Sequence, residues 1–166
     1  MTTGNQVEGD LEFVYLNTTR TLRALAGCFK DLRIKPELEV FGVGDIDFAR
    51  TLIASGLISA PAMFQMVLGV KWASPADTAT IEYLRSYLPP GCVWGALGIG
   101  RHEMPVVAQS ALLGGNVRVG LEDNLYLRRG VFATNGQLVA HAKSLIEHLG
   151  FDVASSTEAR SMLGLS

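Results

Sequence analysis

Residues 114–124 read GGNVRVGLEDN, and this stretch decides the predicted fold. The paired glycines are typical of a helix end, and residues 117–121 are typical of a short buried strand. Side chains alternate between the faces of a strand, so we expect Arg118 and Glu122 on one face, with Asp123 at the strand's mouth. Charged groups beside an apolar strand are costly unless they are paired or used, which favours a functional site. The alternative is a surface salt bridge on an edge strand.

Strand and helix patterns alternate along the chain. Strands are predicted at residues 37–41, 63–68, 93–99 and 117–121. Four strand-helix units with short connections predict an α/β fold with a parallel sheet. Four units are half of a (β/α)8 barrel, which typically has about 250 residues, and a small open doubly wound sheet is the alternative. Glu37 and Glu39 share one face of their strand, and an inward-facing carboxylate pair favours the barrel.

Capping residues and helix breakers position six helices. The first helix starts at Asn17 or Thr18, the second covers residues 45–55, and the third runs from Ser74 to Leu88. The fourth starts at Pro105 and ends at Gly114, and the fifth runs from Thr134 or Asn135 to Leu149. The sixth is short and begins with Ser155 and Glu158 as a capping box.

Composition describes one globular unit. The chain has 166 residues, of which 48% are hydrophobic and 18% charged, so we expect a flexible leader at residues 1–10 and a single α/β domain over residues 11–166. A net charge of −2 argues against nucleic acid as a partner, and no apolar run argues for a membrane. Cys28 and Cys92 suggest reduced thiols, and the start lacks a signal-peptide pattern, so a cytoplasmic location is expected.

Three motifs carry a resemblance to a known family. KPELEVF at residues 35–41, GIGR at residues 98–101 and VRVGLEDN at residues 117–124 resemble motifs of the β-keto acid cleavage enzymes, typified by 3-keto-5-aminohexanoate cleavage enzyme. The likeness runs from about residue 15 to the end and corresponds to the C-terminal half of the family fold. It implies part of a TIM (β/α)8 barrel. It also implies a zinc-dependent transferase that exchanges acyl groups between a β-keto acid and acetyl-CoA, releasing acetoacetate and a new CoA ester.

The resemblance also implies roles for individual residues. Glu122 would be a zinc ligand beside a His-x-His pair, and Asp123 would be the base that removes a proton next to the keto group. Arg118 would contact the substrate or its carboxylate partners, and Arg101 would bind substrate. A glutamate of the Pro-Glu-x-Glu run would orient the arginine and the aspartate, and we favour Glu39 over Glu37 because it is nearer the strand's carboxyl end.

The sequence departs from the family pattern at the metal. It contains no His-x-His, and its three histidines are His102, His141 and His148. We therefore expect little or no cleavage activity from this chain alone. One hypothesis is an enzyme half completed by a partner or another segment, with acetyl-CoA as co-substrate. The other is a non-catalytic truncated member that acts as an oligomeric assembly or binding module.

Two further expectations concern phosphate binding and assembly. The run Arg128-Arg129-Gly130 lies after the fourth strand, where barrels often bind phosphate, and either meets CoA phosphates or is a solvated charge pair. A half-barrel has two open strand edges, so we expect a homo-oligomer or a complementing barrel half as partner, with Met63, Phe64, Met66, Val67 and Trp94 near the surfaces to be covered.

Overall fold

The computed structural model of the chain describes residues 4–8 and 11–165. Its strands are β1 (Gly4–Glu8), β2 (Leu11–Tyr15), β3 (Glu37–Val40), β4 (Met63–Leu68), β5 (Val93–Gly98), β6 (Asn116–Val117), β7 (Tyr126–Arg128) and β8 (Val131–Phe132). Its helices are α1 (Thr19–Asp31), α2 (Val43–Ala54), α3 (Thr78–Ser86), α4 (Glu103–Leu112), α5 (Asn135–His148) and α6 (Ser156–Met162), with a 3-10 turn at Gly100–His102 before α4.

The central sheet has the order β3-β4-β5-β6, and every pairing in it is parallel. Successive strands are therefore spatial neighbours, with a helix in each crossover. The predicted α/β fold of parallel βα units is confirmed. The order runs in one direction without the reversal that defines a doubly wound sheet, so it is the arrangement of part of a (β/α)8 barrel.

The two faces of this sheet have opposite chemistry. The face toward α2, α3 and α4 holds the apolar core, which includes Val40, Phe64, Met66 and Leu68, each fully buried. Burying each such side chain contributes roughly 1.5–3 kcal/mol. The register pairs Glu39 with Gln65, and Gln65 with Gly95, so these residues share the opposite face. Polar groups thus converge on the face away from the core.

The fourth strand is shorter than predicted. It ends at Val117, because the carbonyl of Gly120 accepts hydrogen bonds from the N–H groups of Asp123 (3.1 Å) and Asn124 (3.0 Å) and bends the chain into a turn. The charged residues therefore lie in a tight loop after the strand, which we call the motif loop (residues 118–124).

Three predicted helix starts also shift, and the first is α2, which begins at Val43 rather than at residue 45. Ser74 does not cap α3, because its hydroxyl donates to the carbonyl of Phe41 (2.5 Å) and ties two loops together. Asp77 takes the cap, and its carboxylate accepts from the N–H of Thr80 (2.8 Å). Helix α4 begins at Glu103, two residues before Pro105. The other caps follow the sequence, with Thr18, Thr134 and Ser155 at their helix starts.

Two small antiparallel hairpins flank the parallel sheet. Strands β1 and β2 pair near the N-terminus, and β7 and β8 pair after the motif loop. The leader predicted at residues 1–10 includes residues 1–3, 9 and 10, which lie outside the described residues, and the division into leader and domain remains a prediction. In the described part of the chain, no helix is long and apolar enough to cross a membrane.

The side chains expected near exposed surfaces are mostly covered by the chain itself. Phe64, Met66 and Val67 are buried, whereas Met63 and Trp94 are half-buried. The loop after β4 carries a strongly exposed aromatic ring. Trp72 there is 83% exposed and has a φ of 68°, in the left-handed region that non-glycine residues seldom adopt.

Candidate active site

Arg118 is the centre of a four-residue cluster. Its Nη1 donates to Glu39 Oε1 (2.7 Å), its Nη2 donates to Glu122 Oε2 (2.9 Å), and its Nε donates to Asp123 Oδ2 (3.1 Å). One guanidinium thus holds three carboxylates in fixed directions, which a lysine ammonium does not do with the same geometry. We call this set the Arg118 cluster. The structure brings together four of the residues expected in the site.

The cluster is assembled across the whole sheet. Glu39 lies on β3 and Arg118 directly follows β6, and these are the outer strands of the four. The two side chains meet across β4 and β5 on the face that also carries Gln65. The cluster therefore lies on the polar face of the sheet, away from the apolar core.

Asp123 is the most enclosed carboxylate of the cluster, with a side chain only 6% exposed. Burial raises the pKa of the Asp123 carboxyl above its ordinary value; Arg118 opposes this, and Glu122 and Glu39 add to the increase. Among the described residues, its hydrogen bond uses Oδ2 and leaves Oδ1 without a partner. A buried carboxylate with a raised pKa and an unused oxygen is suited to accept a proton.

Charge balance in the cluster favours a protonated arginine. Partial burial lowers the pKa of Arg118, but the attraction of Asp123, Glu39 and Glu122 outweighs that effect and raises it overall. Three carboxylates against one guanidinium leave the cluster with excess negative charge, which suits a cationic or electrophilic group placed nearby.

Glu37 lies two residues before Glu39 on the same face of β3, and its hydrogen-bond partner is Gln65 rather than Arg118. With the Gln65 amide oriented so that its nitrogen faces Glu37, it donates to Glu37 Oε1 (3.2 Å) and its oxygen accepts from the N–H of Leu97 (3.2 Å). Partial desolvation raises the pKa of Glu37, Arg118 lowers it, and Glu39 raises it further. Glu39 contacts the guanidinium directly, and the preference for Glu39 as the orienting glutamate remains a prediction.

Glu103 is a site residue that the sequence analysis missed. It is only 1% exposed, and its carboxylate accepts from the Gly120 N–H (2.9 Å) and from Asn124 Nδ2 (2.9 Å), at the two ends of the turn that carries Glu122 and Asp123. Glu103 therefore holds the motif loop in place from the start of α4. The available signal was a carboxylate directly after the Gly98-Ile99-Gly100-Arg101 strand end.

Arg101 lies beside the cluster rather than in it. Its Nε donates to His102 Nε2 (3.3 Å), and no described contact joins it to Arg118. The preceding residue ties it to the site, because the N–H of Gly100 donates to the carbonyl of Asp123 (2.7 Å). Arg101 lines a neighbouring cavity together with Arg128, Arg129 and His141.

Zinc requires more donors than the described residues supply. Glu122 is 83% exposed and accessible, but it contributes a single carboxylate that already pairs with Arg118. Among the side chains that the structure describes, which are those of residues 15–165, no group of three His, Cys, Asp or Glu is arranged to hold a metal ion. Protein zinc sites use three or four protein ligands. These residues by themselves therefore do not form a zinc site.

Sequence comparisons identify relatives of this chain. A sequence model of the beta-keto acid cleavage enzyme family matches residues 1–165. The chain is 39% identical over 155 residues to 3-dehydrocarnitine:acetyl-CoA trimethylamine transferase of Rhizobium meliloti, covering 93% of this chain and 52% of that protein. It is 36% identical over 153 residues to 3-keto-5-aminohexanoate cleavage enzyme of Fusobacterium nucleatum subsp. nucleatum, covering 92% and 56%.

A third relative is named for another β-keto acid, 3-oxoadipate. The chain is 36% identical over 157 residues to 3-oxoadipate:acetyl-CoA acetyltransferase of Cupriavidus necator, covering 92% of this chain and 55% of that protein. The chain thus spans about half the length of the curated relatives it matches.

Proposed function

Because the chain belongs to the beta-keto acid cleavage enzyme family, we propose that it supplies the proton-transfer half of a site that acts on a β-keto acid together with acetyl-CoA. The observation that carries this function is the buried Asp123 carboxylate, fixed by Arg118 and left with one free oxygen. Asp123 is the base, Arg118 positions it, and Glu39 positions Arg118.

Asp123 acts on a carbon next to a ketone. The C–H bond breaks and the proton passes to a carboxylate oxygen of Asp123. The electron pair of that bond forms a carbon–carbon double bond, and the π pair of the ketone moves onto its oxygen to give an enolate. A base works best when its pKa approaches the operating pH. Burial moves the pKa of Asp123 in that direction, while the contact with Arg118 keeps the carboxylate ionised enough to accept the proton.

The enolate oxygen needs positive charge nearby. A zinc ion whose coordination was completed from outside the described residues would supply this charge by Lewis-acid polarisation. In this chain Glu122 is the residue offered to such an ion, and donors from outside the described residues are required to complete its coordination. The excess negative charge of the Arg118 cluster is compatible with a cation at this place.

The substrate class comes from the relatives. One is named as a transferase that acts on 3-dehydrocarnitine and acetyl-CoA, and another as a transferase that acts on 3-oxoadipate and acetyl-CoA. A β-keto acid has the acidic carbon that the proposed base requires. The particular acid used by this chain is set by side chains that face its keto group and its tail.

Hydrogen-deuterium exchange tests the proton-transfer role directly. The purified chain is incubated with 3-oxoadipate in deuterated buffer, and loss of the protons next to the keto group is followed by NMR. We expect exchange above the buffer rate, with a decrease of about 100-fold or more in Asp123→Asn, the range of a lost general base. Arg50→Gln, which alters an exposed arginine of α2, is the matched control and retains wild-type exchange. Exchange equal to buffer, or unchanged in Asp123→Asn, contradicts the assignment.

A second function is favoured by the incomplete metal site. Among the described residues, no three-donor group is present and β3 and β6 each pair with a single strand, as expected of a non-catalytic assembly module. Measurement of zinc content and of acetoacetate formed from acetyl-CoA and β-keto acids separates the two. For the chain alone we expect little or no turnover. Robust turnover that is lost in Glu122→Gln would show a complete metal site and exclude the assembly-module function.

A further inference from the structure

A large cavity beside the Arg118 cluster has its own chemistry. It has a volume of about 1,060 Å³, and its walls include Arg101, Tyr126, Leu127, Arg128, Arg129 and His141. We call it the arginine cavity. Sites for small molecules typically occupy about 300–1,000 Å³, so this one accommodates a ligand of considerable size.

The arginine cavity concentrates positive charge on an acidic chain. Three guanidiniums line it and no carboxylate does, although the net charge of the chain is −2. In the described part of the chain, the ion pairs involve Arg118 and Lys143 but not Arg101, Arg128 or Arg129. Guanidiniums without carboxylate partners in a concave site attract anions, and their planar fork matches phosphate oxygens.

The β7–β8 hairpin holds two of these arginines. Gly130 has a φ of 75°, which allows the tight turn directly after Arg128 and Arg129. At the other end, the rings of Tyr126 and Phe132 stack with centroids 5.0 Å apart and an interplanar angle of 19°. The hairpin therefore presents Arg128 and Arg129 on a short, braced element, which lowers the entropy lost when they bind a ligand.

The arginine cavity adjoins the proposed base. Asn124, which follows Asp123, lines the cavity, and so does Gly100, whose N–H donates to the Asp123 carbonyl (2.7 Å). A long ligand can therefore place its anionic end among the arginines while its other end extends toward Asp123.

We infer that the arginine cavity binds the phosphate groups of a coenzyme A ester, with Arg128 and Arg129 as the phosphate ligands and Arg101 on the side toward the Arg118 cluster. This assignment rests on the proposed function for its choice of ligand. Coenzyme A combines clustered phosphates at one end with a long, uncharged pantetheine arm, which matches a basic cavity next to a separate reaction centre. Met104 and Leu127 give the cavity apolar wall for the arm or the adenine.

Calorimetric titration of the purified chain with coenzyme A tests the inference without requiring turnover. We expect saturable binding that weakens at higher salt. Arg128→Gln and Arg129→Gln should each weaken it about five- to twenty-fold, as expected when a charge-assisted contact to phosphate is lost. Arg128→Lys should recover part of that loss, because it restores charge but not the planar fork. Arg50→Gln, outside the cavity, should bind as the wild-type chain does.

Three further ligands identify which part of the coenzyme is recognised. Dephospho-coenzyme A should bind more weakly than coenzyme A, and pantetheine, which lacks phosphate, should show no saturable binding. ADP should bind more weakly than coenzyme A, since it lacks the arm and one phosphate. The inference is overturned if ADP or pantetheine binds as tightly as coenzyme A does. It is also overturned if Arg128→Gln and Arg129→Gln both bind coenzyme A with wild-type affinity. Absence of coenzyme A binding by the folded chain up to about millimolar concentration also overturns it.

The titration with coenzyme A and the exchange experiment with 3-oxoadipate test the cavity assignment and the proposed base independently. If coenzyme A binds as expected while 3-oxoadipate exchanges at the buffer rate, the cavity assignment stands and the proposed base is wrong. If exchange is accelerated and coenzyme A does not bind, the base stands and the cavity assignment is wrong.

Discussion

Arg118 Nη1 lies 2.7 Å from Glu39 Oε1 and so joins the two outer strands of the four-stranded sheet. The contact crosses the polar face of the sheet, above β4 and β5. Glu39 thus fixes the position of the Arg118 guanidinium, which in turn holds Asp123, although Glu39 and Arg118 are 79 positions apart in sequence. The position of the proposed base therefore depends on strand β3 as well as on the motif loop.

Loss of Arg118 should raise the pKa of Asp123 further. In the native chain burial raises this pKa while Arg118 lowers it, so Arg118→Gln removes the lowering contribution and leaves burial unopposed. NMR titration of the Asp123 carboxyl carbon should show a higher midpoint in the variant, and any base-dependent exchange should need higher pH. Arg50→Gln is the control and should leave the midpoint unchanged. A midpoint that falls in Arg118→Gln would contradict this electrostatic account.

Replacement of Glu103 should loosen the motif loop. Glu103→Ala leaves the Gly120 N–H and the Asn124 amide without their buried acceptor. An unsatisfied buried polar group costs about 1–3 kcal/mol, so we expect a loss of stability of that order in urea denaturation. Glu82→Ala, on the exposed face of α3, is the matched control and should change stability little. Equal stability of the two variants would show that Glu103 does not hold the loop.

Glu37 should make stability depend on pH. Partial desolvation raises its pKa in the folded state, so the folded chain binds this proton more tightly than the unfolded chain does. Its contribution to stability is then greatest below the ordinary pKa of the carboxyl and is lost as pH rises through the raised value. Glu37→Gln removes that loss, so the variant should gain stability relative to wild type near neutral pH and lose the gain in acid. Thermal unfolding across this range tests it, with Glu82→Gln as control.

Open edges should drive the chain to associate. Among the described strands, β3 and β6 each have a single neighbour in the parallel sheet, and exposed strand edges favour further pairing. Two exposed leucines add apolar surface: Leu25 on α1 is 46% exposed, and Leu32, directly after α1, is 69% exposed. We expect light scattering to give at least twice the 17.8 kDa of the chain, and Leu25→Glu to lower that mass. Leu112→Glu, at the end of α4, is the control. A stable monomer would contradict the prediction.

Local signals predicted most of the fold. Thr18, Thr134 and Ser155 each accept a hydrogen bond in their helix cap, as their residue types and positions indicated. Where a cap prediction failed, a contact between residues distant in sequence was the cause. Ser74 was predicted as a cap, but its hydroxyl donates to Phe41, 33 residues earlier, and Asp77 replaced it. Sequence spacing gives no information about such a competing partner.

The candidate site divides in the same way. Arg118, Glu122 and Asp123 are neighbours in sequence and were recognisable as a motif, and Glu39 entered through strand phase. Glu103 was missed because its role depends on hydrogen bonds to residues 17 and 21 positions later, formed only when the motif loop turns back over α4. The β7–β8 hairpin was missed as well, and with it the shape of the arginine cavity.

The exposed ring of Trp72 gives the chain a built-in optical reporter. The other tryptophan, Trp94, is half-buried beneath the guanidinium of Arg85 at 5.9 Å, whereas Trp72 projects from the loop after β4 with the Lys71 ammonium 5.4 Å from its ring. Iodide should therefore quench Trp72 emission strongly, since the ammonium attracts the anion, while caesium should quench it less. Any protomer or ligand that covers this end of the sheet should shield that emission without a dye or label.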